Sequence, residues 1–467
     1  MSSSFRTRFS PAPTGFLHVG SARSALFCWL AARHNQGEVM LRVEDTNAQL
    51  YKPEFLDNML WTLEWLGLGF DGETVFQSKR AERYAEVTGA LIASGQAYGC
   101  DCTTEDVKAR SAAAGKPGAG YDGHCRERGL VPGEGIAARF RVPDEGATEF
   151  DDIVRGTVRF EHQSIDDFVI QRANGSAVFF VPNAVDDLDM EITHVVRGDD
   201  LLNTVPKVLL IRRAMPGGEA FPEPTYAHLP MIVNEGRKKL SKRRDDVAVE
   251  DYQKGGYIPE AMSNYLAVLG WGPPDGIEIR PREEIIDLFR LEDVVPSSAF
   301  FDRQKLDHFN AHYLRALPVA SVLEGAAPFL PTDLPESVTE MAPHIQERAR
   351  TFIEFADMAG FLISNELETD EASWAKVLKI PAAAAILDAA LRDYPRTDWS
   401  AEALHEATGQ IAEEAGLGLA KAQAPIRVAV TGRTVGPPLF ESLVALGRER
   451  SLARLTDARQ RLGATTP

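Results

Sequence analysis

The pattern of apolar and polar positions near the start of the chain alternates between two kinds of element. Residues 5–9 and the segment EVMLRV at 38–43 are short apolar runs typical of buried strands. Between them, a glycine-rich turn leads into an apolar helical pattern that begins near Ser21. This order of strand, turn, helix and strand is the opening of a parallel βαβ unit. Two further helical patterns follow at 53–66 and 81–94.

From residue 99 to about residue 180 the pattern changes. The short runs AARFRV, TVRFEH and DDFVIQR are broken by Gly, Pro and Asp, which is typical of strands in an α+β module. The parallel-sheet pattern returns at EITHVVRGDDLL and in the helical segment TVPKVLLIRRAM. The sequence therefore predicts an α/β domain with a doubly wound (Rossmann-like) parallel sheet, interrupted by an inserted α+β module.

Beyond Tyr252 the pattern is nearly all helical. Segments such as PEAMSNYLAVLGW and DRQKLDHFNAHYLRAL repeat apolar residues at i, i+3 and i+4. Proline-rich punctuation at 328–335 predicts a boundary, and no comparable strand pattern follows it, so we expect an all-α C-terminal region. We expect the two halves of the α/β domain at 1–98 and 183–235, with the insert at 99–182 between them. A connecting region follows at 236–325, and the all-α C-terminal domain at 326–467.

Composition narrows the class of protein. A chain of 467 residues with 44% hydrophobic and 25% charged residues is typical of a globular protein too long for a single core. It has no apolar stretch of the roughly 20 residues that a membrane helix needs, and its start has no apolar secretion signal. With only four cysteines, we expect a protein of the reducing cytoplasm.

The formal net charge of −18 argues against indiscriminate binding of nucleic acid, because that mode requires many Lys and Arg to neutralise phosphates. Two segments are locally basic: RKKLSKRR at 237–244, and 425–462 with seven Arg against three acids. Each is either a solvated charged surface or a site of selective contact with a polyanion.

The segment RFSPAPTGFLHVGSARSALF, residues 8–27, holds the glycine-bounded turn. A turn that leads into a helix N-terminus presents unpaired backbone N–H groups and the positive end of the helix dipole, so it predicts an anion site. The turn matches neither of the common phosphate-loop patterns. His18, two residues before Gly20, is either a hydrogen-bond donor to a phosphate or a capping or core histidine.

A second segment, KLSKR at 239–243, places two lysines around a small hydroxyl residue, and lysine suits the phosphates of ATP. Together, P-x-P-T-G-x-x-H-x-G and K-L-S-K-R resemble the two signatures of the class I aminoacyl-tRNA synthetases. With LRVEDTN, DDLDMEITHVVRGDD, FDRQKLDHFNAHYLR and PIRVAVTGRTVGPPLFESLVALGRERSLARL, the chain resembles bacterial glutamyl-tRNA synthetases from residue 8 to residue 455.

The resemblance implies that glutamate attacks the α-phosphate of ATP, with Mg²⁺ assisting, to give glutamyl-adenylate, and that the glutamyl group then passes to tRNA(Glu). Such chemistry needs positioning and charge stabilisation more than a strong acid or base. The implied catalytic residues are His18, Gly20, Lys239, Ser241 and Lys242. On the nucleotide, the resemblance places His18, Gly20, Lys242, Asp200 and Ile232, the last through its backbone.

The resemblance also implies a glutamate pocket of Arg8, Ser10, Glu44, Phe179, Asn183 and Arg197. Arg8 presents a planar fork that suits a side-chain carboxylate, and Glu44 suits the substrate ammonium. A structural ion pair is the alternative for each charged residue. The chain departs from the family where Ser10-Pro11-Ala12-Pro13 replaces A-P-S-P, where Asn47 replaces Asp, and where Phe179 replaces Tyr, which removes one hydrogen bond of about 1 kcal/mol.

In the inserted module, CDC at 100–102 is followed by YDGHC at 121–125. This resembles the zinc site of some family members, with Cys100, Cys102, Tyr121 and Cys125 as ligands. Three thiolates and one N or O donor suit tetrahedral Zn²⁺. His124 and Glu127 are alternative fourth ligands, and three ordinary reduced thiols are the simplest alternative. Cys28, in the apolar run ALFCWL, is expected in the core.

The resemblance assigns acceptor-stem binding to the insert, stem contact to 236–325 and anticodon reading to the helical end, where Arg348 would read the last base. A solvent-facing arginine is the alternative for Arg348. Expected partners are ATP, L-glutamate and tRNA(Glu), with no membrane, and the expected state is a monomer. Two rival functions stay open: a paralogue that charges tRNA(Gln) or both tRNAs with glutamate, and a non-catalytic tRNA-binding homologue.

Overall fold

A computed structural model describes residues 4–47, 49–115, 120–240, 248–377 and 379–465. The chain separates into two compact units. The first unit consists of Met1–Asp251 and Ser263–Asp302, and the second of Tyr252–Met262 and Arg303–Pro467. No helix in the described ranges has both the length and the apolar character that crossing a membrane requires.

The strands that the structure describes all lie in the first unit. In chain order they are β1 (Arg6–Phe9), β2 (Glu38–Val43), β3 (Val75–Phe76), β4 (Ala97–Cys100), β5 (Ala137–Phe140), β6 (Ala147–Asp152), β7 (Gly156–Glu161), β8 (Val169–Gln171), β9 (His194–Gly198), β10 (Thr225–Leu229), β11 (Ile232–Val233) and β12 (Ala299–Phe300).

Helices occur in both units. They are α1 (Val19–His34), α2 (Pro53–Trp65), α3 (Ala81–Ala93), α4 (Thr104–Ala113), α5 (Phe180–Asp189), α6 (Val205–Ala214), α7 (Val249–Lys254), α8 (Pro259–Ala267), α9 (Arg282–Leu288), α10 (Arg303–Ala316), α11 (Val319–Ala326), α12 (Glu336–Gln346), α13 (Phe352–Ile363), α14 (Glu371–Val377), α15 (Ala383–Asp393), α16 (Ala401–Glu414), α17 (Leu419–Thr431), α18 (Leu439–Leu446) and α19 (Arg448–Thr465).

The main sheet has the strand order β3-β2-β1-β9-β10-β6-β7. All neighbouring strands are parallel except β6 and β7. From β1 the chain crosses through α1 to β2 on one side, whereas β9 lies on the other side. The junction of β1 and β9 is therefore a topological switch point, where the carboxyl ends of parallel strands form a crevice for ligands. This confirms the predicted doubly wound α/β domain.

A separate three-stranded antiparallel sheet, in the order β4-β5-β8, forms the inserted module with α4. The hairpin of β6 and β7 also falls within 99–182 but belongs to the main sheet, because Tyr226 on β10 pairs with Asp152 at the end of β6. The strand pattern of TVRFEH could not distinguish these two sheets, since alternation predicts a strand but not its neighbour.

The second unit is all helical over its described residues, which confirms the predicted C-terminal architecture. Its helices surround one apolar core that includes fully buried side chains from α15 to α19, such as Ile386, Leu404, Ile426, Leu443 and Leu455. Apolar residues at helical spacing bury one face of each helix against its neighbours, so burial of that stripe holds the bundle together.

Candidate active site

A cavity of about 400 Å³ opens at the carboxyl ends of β1, β9 and β10. Every predicted glutamate or nucleotide residue that the structure describes lines this cavity: Arg8, Ser10, His18, Gly20, Glu44, Phe179, Asn183, Arg197, Asp200, Ile232 and Lys239. Ser241 and Lys242 lie outside the described residues. Residues widely spaced in the sequence thus converge at the switch point of the sheet.

His18 is the N-cap residue of α1. Its backbone is extended, and its Nδ1 accepts hydrogen bonds from the backbone N–H groups of Gly20 at 3.1 Å and Ser21 at 3.3 Å. Because Nδ1 accepts, the proton of the neutral imidazole is on Nε2, which lies 3.1 Å from the hydroxyl of Ser21. In this tautomer Nε2–H donates to the Ser21 hydroxyl, and it can exchange this neutral acceptor for an anion. The backbone N–H of Gly20 already donates to His18 Nδ1. The group that the turn presents to the cavity is therefore the imidazole of His18 and not the N–H of Gly20.

Asp200 and Lys239 form an ion pair on the exposed side of the cavity, with Lys239 Nζ 3.1 Å from the Asp200 carboxylate. Such an exposed pair contributes little to stability, about 0–1 kcal/mol, so both side chains can exchange partners when a ligand enters. The carbonyl of Ile232 accepts from the N–H of Leu240 at 3.3 Å, which ties the segment after β11 to the cavity wall.

Arg8, at the end of β1, is buried and forms a two-pronged ion pair with Asp187 on α5, with contacts of 3.0 and 3.4 Å. Arg42 on β2 contacts the same carboxylate at 2.5 Å. Burial alone would raise the pKa of Asp187, but the guanidiniums of Arg8 and Arg42 hold this pKa well below its usual range. Nη1 of Arg8 has no partner among the described residues, so this donor group is available to a ligand.

Glu44 and Asn183 are held next to this pair by Arg42, whose Nη2 lies 2.9 Å from Asn183 Oδ1 and 3.5 Å from Glu44 Oε1. Asn183 also donates to the carbonyl of Phe179 at 3.0 Å. Burial raises the pKa of Glu44, with Arg42 opposing that shift. A cationic ligand group in the cavity would stabilise the charged carboxylate, since an opposite charge nearby favours the ionised form.

Two further residues shape the cavity wall. Ser10 Oγ is buried and has no hydrogen-bond partner in the described ranges. Leaving a buried hydroxyl unpaired costs about 1–3 kcal/mol, which a polar ligand atom would offset. Phe179 precedes α5 and packs edge-on against Phe180 at a centroid distance of 5.7 Å. Phe179 therefore makes its part of the cavity wall apolar, whereas the Ser10 hydroxyl offers a ligand one polar contact.

Sequence reasoning missed Asp187 and Arg42, which orient the predicted side chains. Both carried a detectable signal, because each is a charged residue inside an otherwise apolar, buried element: EVMLRV for β2 and FVPNAVDDLD for α5. A fully buried charge is rare unless it is paired, so these positions indicated a buried ion pair.

In the inserted module, Cys100, Cys102 and Cys125 bring their Sγ atoms within 4.8 Å of one another. The Sγ atoms of Cys102 and Cys125 are 3.4 Å apart. The hydroxyl of Tyr121 lies 3.7 Å from Cys100 Sγ and accepts from the N–H of Cys125 at 2.7 Å. This group of three sulfurs and one oxygen fits the donor set of a tetrahedral zinc site.

The other candidate fourth ligands lie elsewhere. His124 is exposed, and neither it nor Glu127 belongs to the sulfur group that the described residues form. The Glu127 side chain is 83% exposed and pairs with Arg141 at 2.7 Å. The geometry therefore favours Tyr121 over both alternatives.

Three arginines surround the sulfur atoms. Arg139 donates to Cys100 at 3.2 Å, Arg110 to Cys102 at 3.4 Å and Arg128 to Cys125 at 3.2 Å. Guanidinium groups have only donors, and the bond from Arg139 lowers the pKa of Cys100 against the effect of burial, whereas burial raises the pKa of Cys102 to about 11 despite Arg110. Sequence reasoning did not single out these arginines. Each comes from a different segment of the module, which local spacing does not reveal.

In the second unit, Arg348 is exposed just after α12 and makes no side-chain hydrogen bond or ion pair among the described residues. Several arginines of the basic C-terminal segment behave differently. Arg450 and Arg454 donate to the carbonyl of Ser364, beyond the end of α13, at 2.7 Å each. These two side chains are therefore tied to helix-end carbonyls and contribute to the fold, a use that neither a solvated charged surface nor a polyanion site describes.

Residues 4–308 match the family described as tRNA synthetases class I (E and Q), catalytic domain, and residues 321–459 match an anticodon binding domain. The glutamate–tRNA ligases of Frankia casuarinae and Thermobifida fusca are each 49% identical, with 98% of both chains covered. A glutamate tRNA ligase from Elizabethkingia meningosepticum, solved in complex with its amino acid, superposes with a TM-score of 0.82 at 28% identity, covering 98% of this chain and 100% of that one.

The fold and the cavity define a class I aminoacyl-tRNA synthetase: a parallel sheet with a ligand crevice at its switch point, joined in sequence to a helical anticodon-binding region. Within that class, the chain belongs to the family of bacterial glutamate–tRNA ligases.

Proposed function

We propose that this protein ligates L-glutamate to tRNA(Glu) at the expense of ATP, through glutamyl-adenylate. The observation that carries the proposal is the convergence of a helix-capping His18 and a buried Arg8 on one cavity, since an anion donor and a carboxylate reader are then adjacent. Charge complementarity supports two substrates: phosphates at one end of the cavity, and an amino acid with two carboxylates and one ammonium at the other.

At the phosphate end, the Nε2–H of His18 donates to the α-phosphate, and Lys239 leaves Asp200 to neutralise the phosphates. Lys242 and Ser241 join this group by their position in the KLSKR motif. Magnesium bound with ATP supplies further charge neutralisation on the phosphates. The protein residues position the α-phosphate for attack by the glutamate carboxylate and stabilise the departing pyrophosphate.

At the amino-acid end, Arg8 binds the side-chain carboxylate, Glu44 holds the ammonium, and Arg197 contacts the substrate as a second cation. Ser10 and Asn183 complete the polar wall, and Phe179 provides an apolar face. Glutamine would present a neutral amide to Nη1–H of Arg8, so it would lose the ion pair with the guanidinium and keep only a hydrogen bond to a neutral acceptor. The family pattern has serine at position 12, where this chain has Ala12. In this chain the Ser10 hydroxyl provides the polar contact instead.

Roles for the remaining segments complete the proposal: acceptor-stem binding by 99–182, stem contact by 236–325, and anticodon binding by 326–467, with Arg348 at the last anticodon base. A cytoplasmic, monomeric protein is part of the same proposal. A direct test compares charging of purified tRNA(Glu) and tRNA(Gln) with labelled glutamate. Charging of tRNA(Glu) alone supports the proposal, whereas charging of tRNA(Gln) would favour the paralogue, and charging of neither a non-catalytic role.

Replacing Gly20 by Ala tests whether the position of the His18 ring matters. A Cβ at residue 20 would lie 3.1 Å from two ring atoms of His18, so the ring must shift by a few tenths of an ångström. We expect kcat for aminoacylation to fall about tenfold. Because alanine favours a helix over glycine by about 0.5–1 kcal/mol, the melting temperature should not fall.

The matched control is Gly89→Ala on α3, where a Cβ would meet nothing within 4 Å. It should gain similar stability and keep full activity. Equal kcat values for the Gly20 and Gly89 variants would contradict a role for the ring position.

We also propose that Cys100, Cys102, Cys125 and Tyr121 bind one zinc ion. Replacing Cys100 by Ser should abolish zinc binding, measured as metal content of the purified protein by atomic absorption, because hydroxyl oxygen is a poorer zinc ligand than thiolate. Cys28→Ser is the matched control. Cys28 is fully buried on α1, outside the group that the other three sulfur atoms form, and burial raises the pKa of its thiol to about 12, so its Ser variant should keep the zinc. Wild-type protein grown with zinc but free of it would refute the site.

A further inference from the structure

Three buried side chains lie beside one another across the carboxyl edge of the main sheet: Arg197 on β9, His228 on β10 and Asp152 on β6. The register pairs Arg197 directly with His228, and β6 runs beside β10 with Asp152 opposite Tyr226. Their exposed fractions are 7%, 0% and 3%. Only Arg197 lines the cavity, so the other two can act on a ligand only through it.

The hydrogen bonds fix the tautomer of His228. Its Nδ1 lies 2.5 Å from the Asp152 carboxylate, which only accepts, so Nδ1 carries the proton. The Nε–H of Arg197 donates to His228 Nε2 at 3.2 Å, so Nε2 carries none. Asp152 is itself held by the backbone N–H groups of His228, Val154 and Arg155. The imidazole is thus a neutral acceptor aimed at the guanidinium.

The charges around His228 keep it in this state. Burial lowers the pKa of His228, and Arg197 lowers it further, while Asp152 and Asp199 oppose the shift. The ring of Tyr226 stacks on the imidazole at a centroid distance of 5.9 Å and adds no charge. At neutral pH His228 therefore remains able to accept from Arg197.

The guanidinium of Arg197 is held at two of its three nitrogens. Besides the bond from Nε, its Nη2 donates to the carbonyl of Leu201 at 3.1 Å and to the hydroxyl of Thr204 at 3.0 Å. The third nitrogen, Nη1, makes no hydrogen bond with any residue that the structure describes. Burial lowers the pKa of Arg197 to about 10, so it stays charged at neutral pH. One donor group is left for a ligand, in a fixed plane.

We propose that His228, oriented by Asp152, is a positioning residue that fixes the guanidinium plane of Arg197 for the carboxylate of the amino-acid substrate. The proposal rests on the proposed function, because it takes Arg197 as a glutamate contact. A fixed plane lowers the cost of binding, since less rotamer freedom is lost when the substrate arrives.

The test compares His228→Gln with His228→Asn in aminoacylation assays that vary glutamate and ATP separately. The Gln amide reaches the place of Nε2 and can accept from Arg197, whereas the Asn amide reaches only the place of Nδ1. We expect the Asn variant to raise the KM for glutamate about tenfold, with kcat and the KM for ATP within about twofold of wild type. The Gln variant should restore the KM for glutamate.

Equal KM values for glutamate in the Asn and Gln variants, or an equal rise in the KM for ATP, would overturn the proposal. If the Asn variant does not fold, Asp152→Asn replaces it. An amide at 152 donates to Nδ1 and moves the ring proton to Nε2, opposite the Arg197 N–H, so the same rise is expected. Arg197→Lys separates the role of Arg197 from that of His228. If the Lys variant leaves the KM for glutamate unchanged, Arg197 is not a glutamate contact and both roles are overturned. If the Lys variant raises this KM but the His228 variants do not, only the role of His228 is overturned.

Discussion

Replacing His18 by Ser lowers kcat for aminoacylation by about 10²–10³-fold, the usual loss when one donor to a developing negative charge is removed. The serine hydroxyl is a good N-cap and can accept from the N–H groups of Gly20 and Ser21, so α1 keeps its start. It is too short to place a donor where the imidazole Nε2 lies. Activity should therefore fall while the melting temperature stays within about 1 °C of wild type.

His18→Ala is the companion variant. It removes both the cap and the donor, so kcat falls as far as in the Ser variant, and stability falls by about 1 kcal/mol in urea unfolding. If the Ser variant kept near wild-type kcat while the Ala variant lost activity, His18 would serve only as a cap, and its catalytic role would be wrong.

Replacing Arg8 by Lys lowers kcat/KM for glutamate by about 10²–10³-fold, with the KM for ATP nearly unchanged. Arg8 binds Asp187 through Nε and Nη2 and keeps Nη1 for the substrate. A lysine ammonium is a single point charge, so it can pair with Asp187 or with the substrate carboxylate but not hold both in this geometry. Loss of a buried charged hydrogen bond costs about 2–5 kcal/mol, and each 1.4 kcal/mol is a factor of ten.

Arg6→Lys is the matched control for this prediction. Arg6 lies on the same strand and forms an ion pair with Glu38 at 2.6 Å, but it does not line the cavity. Steady-state kinetics with glutamate as the varied substrate should show near wild-type values for Arg6→Lys. A similar loss in both variants would indicate that the effect comes from strand stability and not from recognition of the carboxylate.

Much of the fold could be predicted because its determinants are local. The apolar runs at 5–9 and 38–43 appear as β1 and β2, and the helical pattern after the turn appears as α1, since period and capping are written within a few residues. Several of the site residues named from the motifs converge for a related reason: Arg8, Arg197 and Asp200 lie at or just after the ends of β1 and β9, and parallel strands bring their carboxyl ends to one edge.

What could not be predicted depends on which strands become neighbours. Asp187 meets Arg8 across 179 positions of sequence, and Asp152 reaches His228 only because β6 pairs with β10. No local period encodes either contact. The arginines of the C-terminal segment show a second limit: Arg450 and Arg454 bind helix-end carbonyls, and counting charges along a sequence does not separate this use from binding of a polyanion.

The most direct test of the central claim is glutamate-dependent exchange of labelled pyrophosphate into ATP, measured with and without tRNA(Glu). Formation of glutamyl-adenylate in the cavity predicts exchange that requires glutamate and is not supported by glutamine. The His18→Ser variant should lose this exchange, and the Gly89→Ala variant should keep it. Absence of exchange by the wild-type protein under both conditions would contradict the claim that this cavity activates glutamate.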